Sequence, residues 1–411
     1  MSLTRSLTLP LTRALSHAEL TQKLGGSFSP YSLNPYLLFD ARDSMIGTLE
    51  NPALDLNPAL AETLDVITAV RTGVATYTDE SGLIQEATAN TVRVDNSLGY
   101  PGMLIEPSAT NLVTYSEDFT SWTKNDVSLT SGQASPAGDN TATKLTATGG
   151  DPWVYTIINT SAQTNTFSFY CRGEGTSIGK TARLLVWYVG SATGTTESFD
   201  FTYTSEWQRV EFQTTPTGAG SLIYRIDLPA DNSEVDDVAY IWGAQLETGS
   251  VSTSLIPTSG SAVTRAADDL SITGSAFSDF YNQSEGTIYV EFTPRIIQST
   301  TNTLFEISDG TSSDRMFSLI QNGYSLYVSD TTLQAQLNGG IANANSLNRW
   351  SGSYKLNKVE ISMNGGSVVL DTSATIPTVN RLNLGERQFT NYHLNGHLKR
   401  LIYWPTHSDS L

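Results

Sequence analysis

Residues Gly99 to Trp122 read GYPGMLIEPSATNLVTYSEDFTSW, and this stretch decides the fold when it is taken together with a second one. The second stretch runs from Ile241 to Ile272 and reads IWGAQLETGSVSTSLIPTSGSAVTRAADDLSI. Residues 123–240 lie between the two, which is about the length of one β-sandwich. The spacing therefore fits a domain of that kind between the two stretches.

Strand-like runs fill the interval between the two stretches, and turn signals such as Pro136-Ala137-Gly138-Asp139 separate many of them. Eight short strands at this spacing match a double-sheet jelly roll. We therefore expect residues 108–258 to form a first sandwich. The runs are TATKLTAT, VYTIINT, TFSFYCRG, ARLLVWYVG, ESFDFTYT, WQRVEFQTT, LIYRIDLP and VAYIWGAQLE.

The N-terminal part of the chain differs from the rest. In residues 1–35, apolar residues recur at helical spacing from Leu11 to Leu24, and Gly25-Gly26 would end such a helix. A helix this short is marginal alone, so it needs a partner subunit or the body of the protein to pack against; a frayed terminus is the alternative. Residues 36–107 mix helix and strand signals and indicate a small β connector.

The two quoted stretches resemble a module of tailed-bacteriophage virion proteins, which occurs in tail fibres and in head-attached appendages. In such proteins the first stretch leads into a jelly roll and the second leaves it. The string SEWQRVEF also resembles jelly-roll carbohydrate-binding modules. After a linker at 259–269, the strings GTIYVEFTP, NTLFEISDG and NRWSGSYKLNKVEISMNGG make residues 270–411 similar to a concanavalin A-like or laminin-G-like domain. The resemblance implies an all-β chain with two β-sandwiches in tandem, after the helical segment and the connector.

Composition excludes several classes of function. The formal net charge is −18 and no stripe of clustered Lys and Arg occurs, which argues against nucleic-acid binding. No run of 18 apolar residues is present, so we expect no membrane insertion. Arg5 and Pro10 interrupt what would be the apolar part of a signal peptide. The single cysteine, Cys171, lies in an apolar run and is typical of a buried strand residue.

The sequence lacks the usual signatures of catalysis. No HExxH, GxSxG, P-loop, GxGxxG or CxxC pattern occurs, and neither does the ExDxE string typical of concanavalin A-type hydrolases. Glu306 and Asp309 are three residues apart and would face opposite sides of a strand. His393 and His397 are four apart, but their segment is typical of strand and turn, not of a helix that would align them. We therefore expect no enzymatic activity.

Aromatic side chains provide the candidate binding residues. Trp153 follows the turn Gly149-Gly150-Asp151-Pro152, and Tyr155 lies two residues further and could share its face. Because aromatic rings stack on sugar rings, the pair predicts an exposed carbohydrate-binding platform; packing at the rim of the sandwich is the alternative. Four other tryptophans lie inside strand-like runs and are expected in the core: Trp207, Trp242, Trp350 and Trp404. Further candidates in the second sandwich are Tyr324, Tyr327 and Tyr392.

Two acidic pairs bracket the first sandwich, Glu117-Asp118 and Asp236-Asp237. In jelly-roll carbohydrate-binding modules the matching ends often share a structural calcium ion, which prefers oxygen ligands. The resemblance therefore implies a structural Ca²⁺ at these four residues. Solvated surface charge is the alternative.

These observations together predict a structural protein of a tailed-phage virion. It would be a fibre or spike, assembled as a homotrimer, that attaches to other virion proteins through its N-terminal part and presents β-sandwiches to host-surface glycans. The nearest alternative is a head fibre or decoration protein with weak adhesion. A polysaccharide depolymerase is disfavoured by the missing carboxylate pattern, and a bacterial surface adhesin by the missing signal peptide.

Overall fold

The structure is a computed structural model that describes residues 52–189, 196–228, 234–297, 302–320, 323–387, 392–409 and 411. The predicted N-terminal helical segment, residues 1–35, lies outside the described residues, and so do residues 36–51 of the predicted connector. In the described part, the chain is nearly all β. No helix there has the length and apolar character needed to cross a membrane.

Short strands follow one another along the whole described chain. The helical elements in it are the single turn α1, Ser275–Ser278, and the 3-10 turns Ala61–Leu64 and Gly175–Ser177. The strands are β1 Leu54–Leu56, β2 Thr68–Val70, β3 Ala75–Thr78, β4 Ile84–Ala87, β5 Val94–Asp95, β6 Gly102–Ile105, β7 Ala109–Asn111, β8 Thr123–Asn125, β9 Val127–Gln133, β10 Ala142–Ala147, β11 Trp153–Thr160, β12 Asn165–Glu174, β13 Thr181–Val189, β14 Glu197–Thr202, β15 Gln208–Thr214, β16 Gly220–Asp227, β17 Val238–Thr248, β18 Val263–Arg265, β19 Asp269–Thr273, β20 Glu285–Pro294, β21 Asn302–Ser308, β22 Arg315–Ile320, β23 Tyr324–Asp330, β24 Thr332–Gly339, β25 Asn348–Lys355, β26 Lys358–Met363, β27 Val369–Asp371, β28 Arg381–Leu384 and β29 Gly396–Trp404.

The first sandwich consists of two antiparallel sheets, ordered β15-β12-β17-β10-β9 and β14-β13-β16-β11-β8. Alternate residues of each strand face the shared core, because successive side chains of a strand point to opposite sides. On β13, for example, Ala182, Leu184 and Val186 are buried in that core. Cys171 on β12 is buried there as a free thiol, and burial raises its pKa.

The second sandwich also has two antiparallel sheets and one core. One sheet has the order β27-β26-β25-β20-β29-β6-β5, with β1 also paired to β29, and the other has the order β2-β19-β28-β21-β22-β23-β24. Trp350 on β25 packs edge-on against Phe305 on β21 at 5.0 Å between ring centroids. This contact joins the two sheets across the core.

The segment predicted as a separate β connector supplies strands to the second sandwich. Strands β1, β5 and β6 extend one of its sheets, and β2 pairs with β19 at the edge of the other. The apolar residues Leu56, Met103 and Ile105 are buried in its core. A free two-stranded connector could not bury these side chains, which revises the expected order of a connector followed by two sandwiches in tandem.

The first sandwich is inserted within the second. Its chain leaves after β6 along β7 and returns along β18, and these two strands pair, with Ala109 opposite Arg265. Strand β19 then continues into the second sandwich. The predicted linker therefore contains a paired strand, β18.

Five buried ionic side chains occupy the point where the chain enters and leaves the first sandwich, and we call them the junction: Arg71, Arg93, Glu106, Arg265 and Asp268. Arg71 lies 2.8 Å from Asp268, Arg93 lies 2.8 Å from Glu106 and also pairs with Asp268, and Arg265 lies 3.5 Å from Glu106. All five side chains are at most 3% exposed. Removing one partner of such a pair would leave a buried charge uncompensated.

The junction explains the two stretches that stand out in the sequence. Glu106 comes from the first stretch, and its carboxylate accepts hydrogen bonds from the backbone N–H and the Oγ of Ser254, both at 2.7 Å, in the second stretch. Asn111 also bridges the two, because its Nδ2 donates to the carbonyl oxygens of Ala244 and Ile256. These residues hold the entry and the exit of the first sandwich together.

Candidate functional site

The outer side of the sheet β14-β13-β16-β11-β8 carries an unusual set of side chains. On β11, Val154 and Ile158 point into the core, so Trp153, Tyr155 and Ile157 point outward. Ile157 is 54% exposed. On β13 and β16 the same alternation turns Trp187 and Arg225 outward. We call Trp153, Tyr155, Trp187 and Arg225 the aromatic face.

Strand register brings the members of the aromatic face together. Tyr155 lies opposite Arg225, and Arg225 in turn lies opposite Leu185, two residues before Trp187. The rings of Trp153 and Tyr155 are stacked, with centroids 5.4 Å apart and an interplanar angle of 26°. The Arg225 guanidinium carbon lies 4.8 Å from the centre of the Trp153 ring and 5.6 Å from that of Trp187. Arg225 thus links the two tryptophans by cation–π contacts.

Carboxylates fix the orientation of this cluster. Asp151 accepts hydrogen bonds from Arg225 at 3.0 Å and from the indole Nε1 of Trp153 at 3.1 Å. Asp227 accepts a hydrogen bond from Nε of Arg225. Burial raises the pKa of Asp227, although the hydrogen bond from Arg225 works in the opposite direction. The face therefore combines ring surfaces with fixed donors and acceptors.

Part of the outer side of the opposite sheet is covered. There Trp242 is 2% exposed and packs with Ile84 and Leu255, so the β3–β4 hairpin and the second stretch lie over it. Trp242 also donates from Nε1 to Thr141 Oγ1 at 2.7 Å. The two outer sides of the first sandwich thus differ: one is partly covered by other segments of the chain, and the other carries the aromatic face.

The predicted pair Trp153 and Tyr155 is brought together, on one side of one strand. Both residues are half-buried, because each ring stacks on the other and Trp153 also contacts Arg225. Trp187 and Arg225 were missed by the sequence reasoning. The signal that could have found Trp187 is the alternation in ARLLVWYVG, where the residues turned inward leave Trp187 on the outer side.

The three tyrosines predicted in the second sandwich fall in two places. Tyr324 is 0% exposed in the core and cannot offer its ring to a surface ligand. Tyr327 points outward from β23 and stacks on Phe317 with centroids 4.9 Å apart. Tyr392 reaches the same area, because the Arg387 guanidinium lies 4.9 Å from its ring centre and 5.0 Å from that of Phe317.

The four predicted calcium ligands do not converge. Asp237 binds Lys180, whose Nζ lies 2.7 Å from its Oδ2, so an ammonium group already neutralises this carboxylate. Asp118 accepts hydrogen bonds from the backbone N–H and the hydroxyl of Thr120. Burial and the nearby Asp139 raise the pKa of Glu117. The only group of three or more potential metal ligands among the described residues is Asp269, Glu386 and His393. It contains none of the four predicted residues, Asp236 included.

Comparison with solved structures gives matches of low sequence identity, three of which are described below. No protein-family model matches the sequence, and no curated protein does. The CBM40 domain of the Ruminococcus gnavus IT-sialidase, bound to alpha2,6 sialyllactose, is 15% identical over 31% of this chain and 80% of that chain, with a TM-score of 0.28. TmCBM61, in complex with beta-1,4-galactotriose, is 16% identical over 34% of this chain and 99% of that chain, with a TM-score of 0.28. Domains LG4-5 of the mouse laminin alpha1 chain are 11% identical over 77% of this chain and 92% of that chain, with a TM-score of 0.25.

Matches at such low TM-scores carry no argument about function. The β-sandwich architecture rests on the strand pairing and the two cores of this chain.

Proposed function

We propose that the chain binds glycans without cleaving them, through the aromatic face of the first sandwich. The observation that carries the proposal is the grouping of Trp153, Tyr155 and Trp187 around Arg225 on the outer side of the sheet, where Ile157 is 54% exposed. Ring surfaces offer apolar contact to the C–H side of a sugar, while guanidinium and carboxylate groups bond to its hydroxyls. Because the strands hold these groups in place, little ordering is needed on binding.

The charges of the aromatic face favour a neutral glycan. Arg225 is already paired with Asp151 and Asp227, and the neighbouring Arg183 is paired with Asp200. The side chain of Asp151 is 68% exposed and would repel a sugar carboxylate or sulfate. Three carboxylates against two guanidinium groups leave no excess positive charge for an anionic ligand.

The proposal of a non-catalytic role is supported by the placement of the carboxyl groups. Glycosidases hold two carboxyl groups at least about 5 Å apart, on either side of the bond that breaks. Asp269 and Glu386, the acidic members of the group with His393, lie on the second sandwich and not beside the aromatic face. Asp151 and Asp227 each bind Arg225, which fits a role in orienting the guanidinium.

We further propose that the protein is part of a tailed-phage virion, as a homotrimeric fibre or spike attached through its N-terminal part. The support for this is the resemblance of the stretches at 99–122 and 241–272 to the phage module. A head fibre or decoration protein with weak adhesion is the second candidate, and the same two stretches favour it equally. Both place the glycan-binding sandwich on the surface of the particle.

A glycan array probed with the full chain tests the binding proposal. Trp153→Ala and Trp187→Ala should each weaken binding to neutral glycans by about tenfold or more, since each removes a stacking surface. Trp207→Ala is the matched control: Trp207 belongs to the same sandwich and has Arg172 over its ring at 5.6 Å, as Trp187 has Arg225 at 5.6 Å, but it lies off the aromatic face. The control should bind like the parent protein.

Stability separates binding from packing at Trp153. A half-buried ring should cost the fold less than about 3 kcal/mol when truncated, whereas a fully packed one costs more. Equal binding by the parent protein and both face variants, measured on folded samples, would sink the proposal. Release of reducing ends from a bound polysaccharide would show that the protein is an enzyme instead.

A further inference from the structure

A second cluster of polar side chains lies on the second sandwich, away from the aromatic face. Asp269 begins β19, Glu386 follows β28 by two residues, and His393 precedes β29. Strands β19 and β28 are paired, with Leu270 opposite Leu384, which brings the first two residues to one end of the sheet. Asp268 turns toward the junction, and its neighbour Asp269 turns toward this cluster.

The distances within the cluster suit metal coordination. Nε2 of His393 lies 3.3 Å from Oδ1 of Asp269 and 3.8 Å from Oε2 of Glu386. Ligands at about 2.0–2.1 Å from a tetrahedral Zn²⁺ are themselves separated by about 3.3 Å. One ligand atom of each of the three residues lies within 4.8 Å of the other two, so a small inward shift of the side chains would reach this spacing.

Burial gives a second, independent indication. Asn383 is 7% exposed, and its Nδ2 donates to Oε1 of Glu386 at 2.7 Å, which orients that carboxylate as outer residues orient metal ligands. Oδ1 of Asn383, on the same amide, is buried and has no hydrogen-bond partner. A buried amide oxygen without a partner is costly, which suits a further polar group beside Glu386.

We propose that Asp269, Glu386 and His393 form a binding site for one divalent transition-metal cation, of which Zn²⁺ is the representative. An imidazole nitrogen together with two carboxylates suits zinc and its neighbours better than calcium, which takes six to eight oxygen ligands. The ion would tie the β28–β29 connection to the start of β19. This is a structural site, separate from the proposed glycan surface.

Calorimetric titration of the full chain tests the proposal. The protein carries no histidine tag and is stripped with EDTA, and ZnCl2, CaCl2 and MgCl2 are the titrants. We expect one Zn²⁺ per chain, bound more tightly than Ca²⁺ or Mg²⁺, and a rise in melting temperature on binding. Asp269→Asn, at a half-exposed position, and His393→Gln should each weaken Zn²⁺ binding by about tenfold or more.

Asp309→Asn is the matched control, because Asp309 is an aspartate of the same sandwich whose carboxylate bonds to Thr311. It should bind Zn²⁺ like the parent protein. Substitution with Co²⁺ provides a second readout, since its visible absorption reports a nitrogen ligand and should be lost in His393→Gln. Undiminished Zn²⁺ binding in Asp269→Asn, or a preference for Ca²⁺ over Zn²⁺, would overturn the proposal.

Discussion

The junction and the aromatic face both pair arginines with carboxylates, but water reaches only one of them. Arg93 in the junction is 0% exposed, and it donates to Thr76 O and Ser254 Oγ besides its two ionic partners. Arg225 on the aromatic face keeps one partner, Asp151, largely in solvent. The same pair of residue types therefore locks chain segments together in one place and leaves bonding groups open to a ligand in the other.

This contrast separates residues that are conspicuous in the sequence from residues that could bind a ligand. Glu106 and Arg265 lie in the two stretches that stand out, and their partners are all within the protein. Trp187 and Arg225 lie in ordinary strand sequences and face outward. A motif that stands out can thus describe how a domain is attached, not what it binds.

The largest effect is expected from breaking the junction. Arg93→Met should lower the free energy of unfolding by about 3–5 kcal/mol, because Glu106 and Asp268 lose a buried counter-ion while staying out of water. Urea unfolding followed by tryptophan fluorescence measures it. The folded fraction of the variant should bind glycan normally. A loss of unfolding free energy below about 1 kcal/mol would mean that the junction does not hold the entry and the exit of the first sandwich together.

A smaller effect is expected from Glu386, because the pKa of this buried glutamate is shifted in the direction opposite to that of Glu106 in the junction. Burial would raise the pKa of Glu106, but Arg265 and Arg93 bring it well below its usual range. For Glu386, burial and the neighbouring Asp269 both raise the pKa, to about 8. The folded state therefore favours protonated Glu386. The contribution of this group to the free energy of unfolding is complete below pH 4.5 and is lost as the pH rises toward 8.

Glu386→Gln, which stays neutral, removes this dependence. Between pH 5 and pH 9 in the presence of EDTA, the parent protein should lose on the order of 2 kcal/mol more unfolding free energy than the variant. Chemical denaturation at the two pH values measures the difference. Parallel pH profiles for the two proteins would contradict the assigned pKa of Glu386.

The smallest effect is expected from an exposed pair beside the aromatic face. Arg183 binds Asp200 through two hydrogen bonds, but their side chains are 32% and 48% exposed. Arg183→Gln should cost less than about 1 kcal/mol, and less still at high salt. A loss of unfolding free energy as large as that of Arg93→Met would show that exposed and buried ion pairs do not differ in this protein.

Local sequence predicted the strands and the all-β class, because alternation and turn residues are short-range signals. It could not predict strand partners. Strand β1 pairs with β29 from the far end of the chain, and nothing in the sequence around Leu54–Leu56 specifies that partner. Residues 36–107 therefore looked like a unit of their own, although β1, β2, β5 and β6 belong to the sheets of the second sandwich.

For the candidate sites too, local signals could be predicted and long-range contacts could not. Trp153 and Tyr155 could be predicted together, because a turn and a spacing of two residues are local. The acidic pairs gave a wrong impression of convergence: they lie in loops between the strands, where no local pattern fixes their direction, and Asp237 is paired with Lys180. Asp269, Glu386 and His393 are distant in sequence, and only the pairing of β19 with β28 brings two of them together.

The insertion of the first sandwich through β7 and β18 determines how the molecule transmits force. Because β1 pairs with β29, tension applied between the two ends of the described chain passes from one strand to the other inside a single sheet. The first sandwich is joined to the rest of the chain through the separate β7–β18 pair, which lies outside this sheet. Replacing it with another domain would require ends one strand spacing apart, about 5 Å, and would also remove the hydrogen bonds of Ser254 to the junction. Side chains of the aromatic face can therefore change without altering the strand pairs along the path of the force.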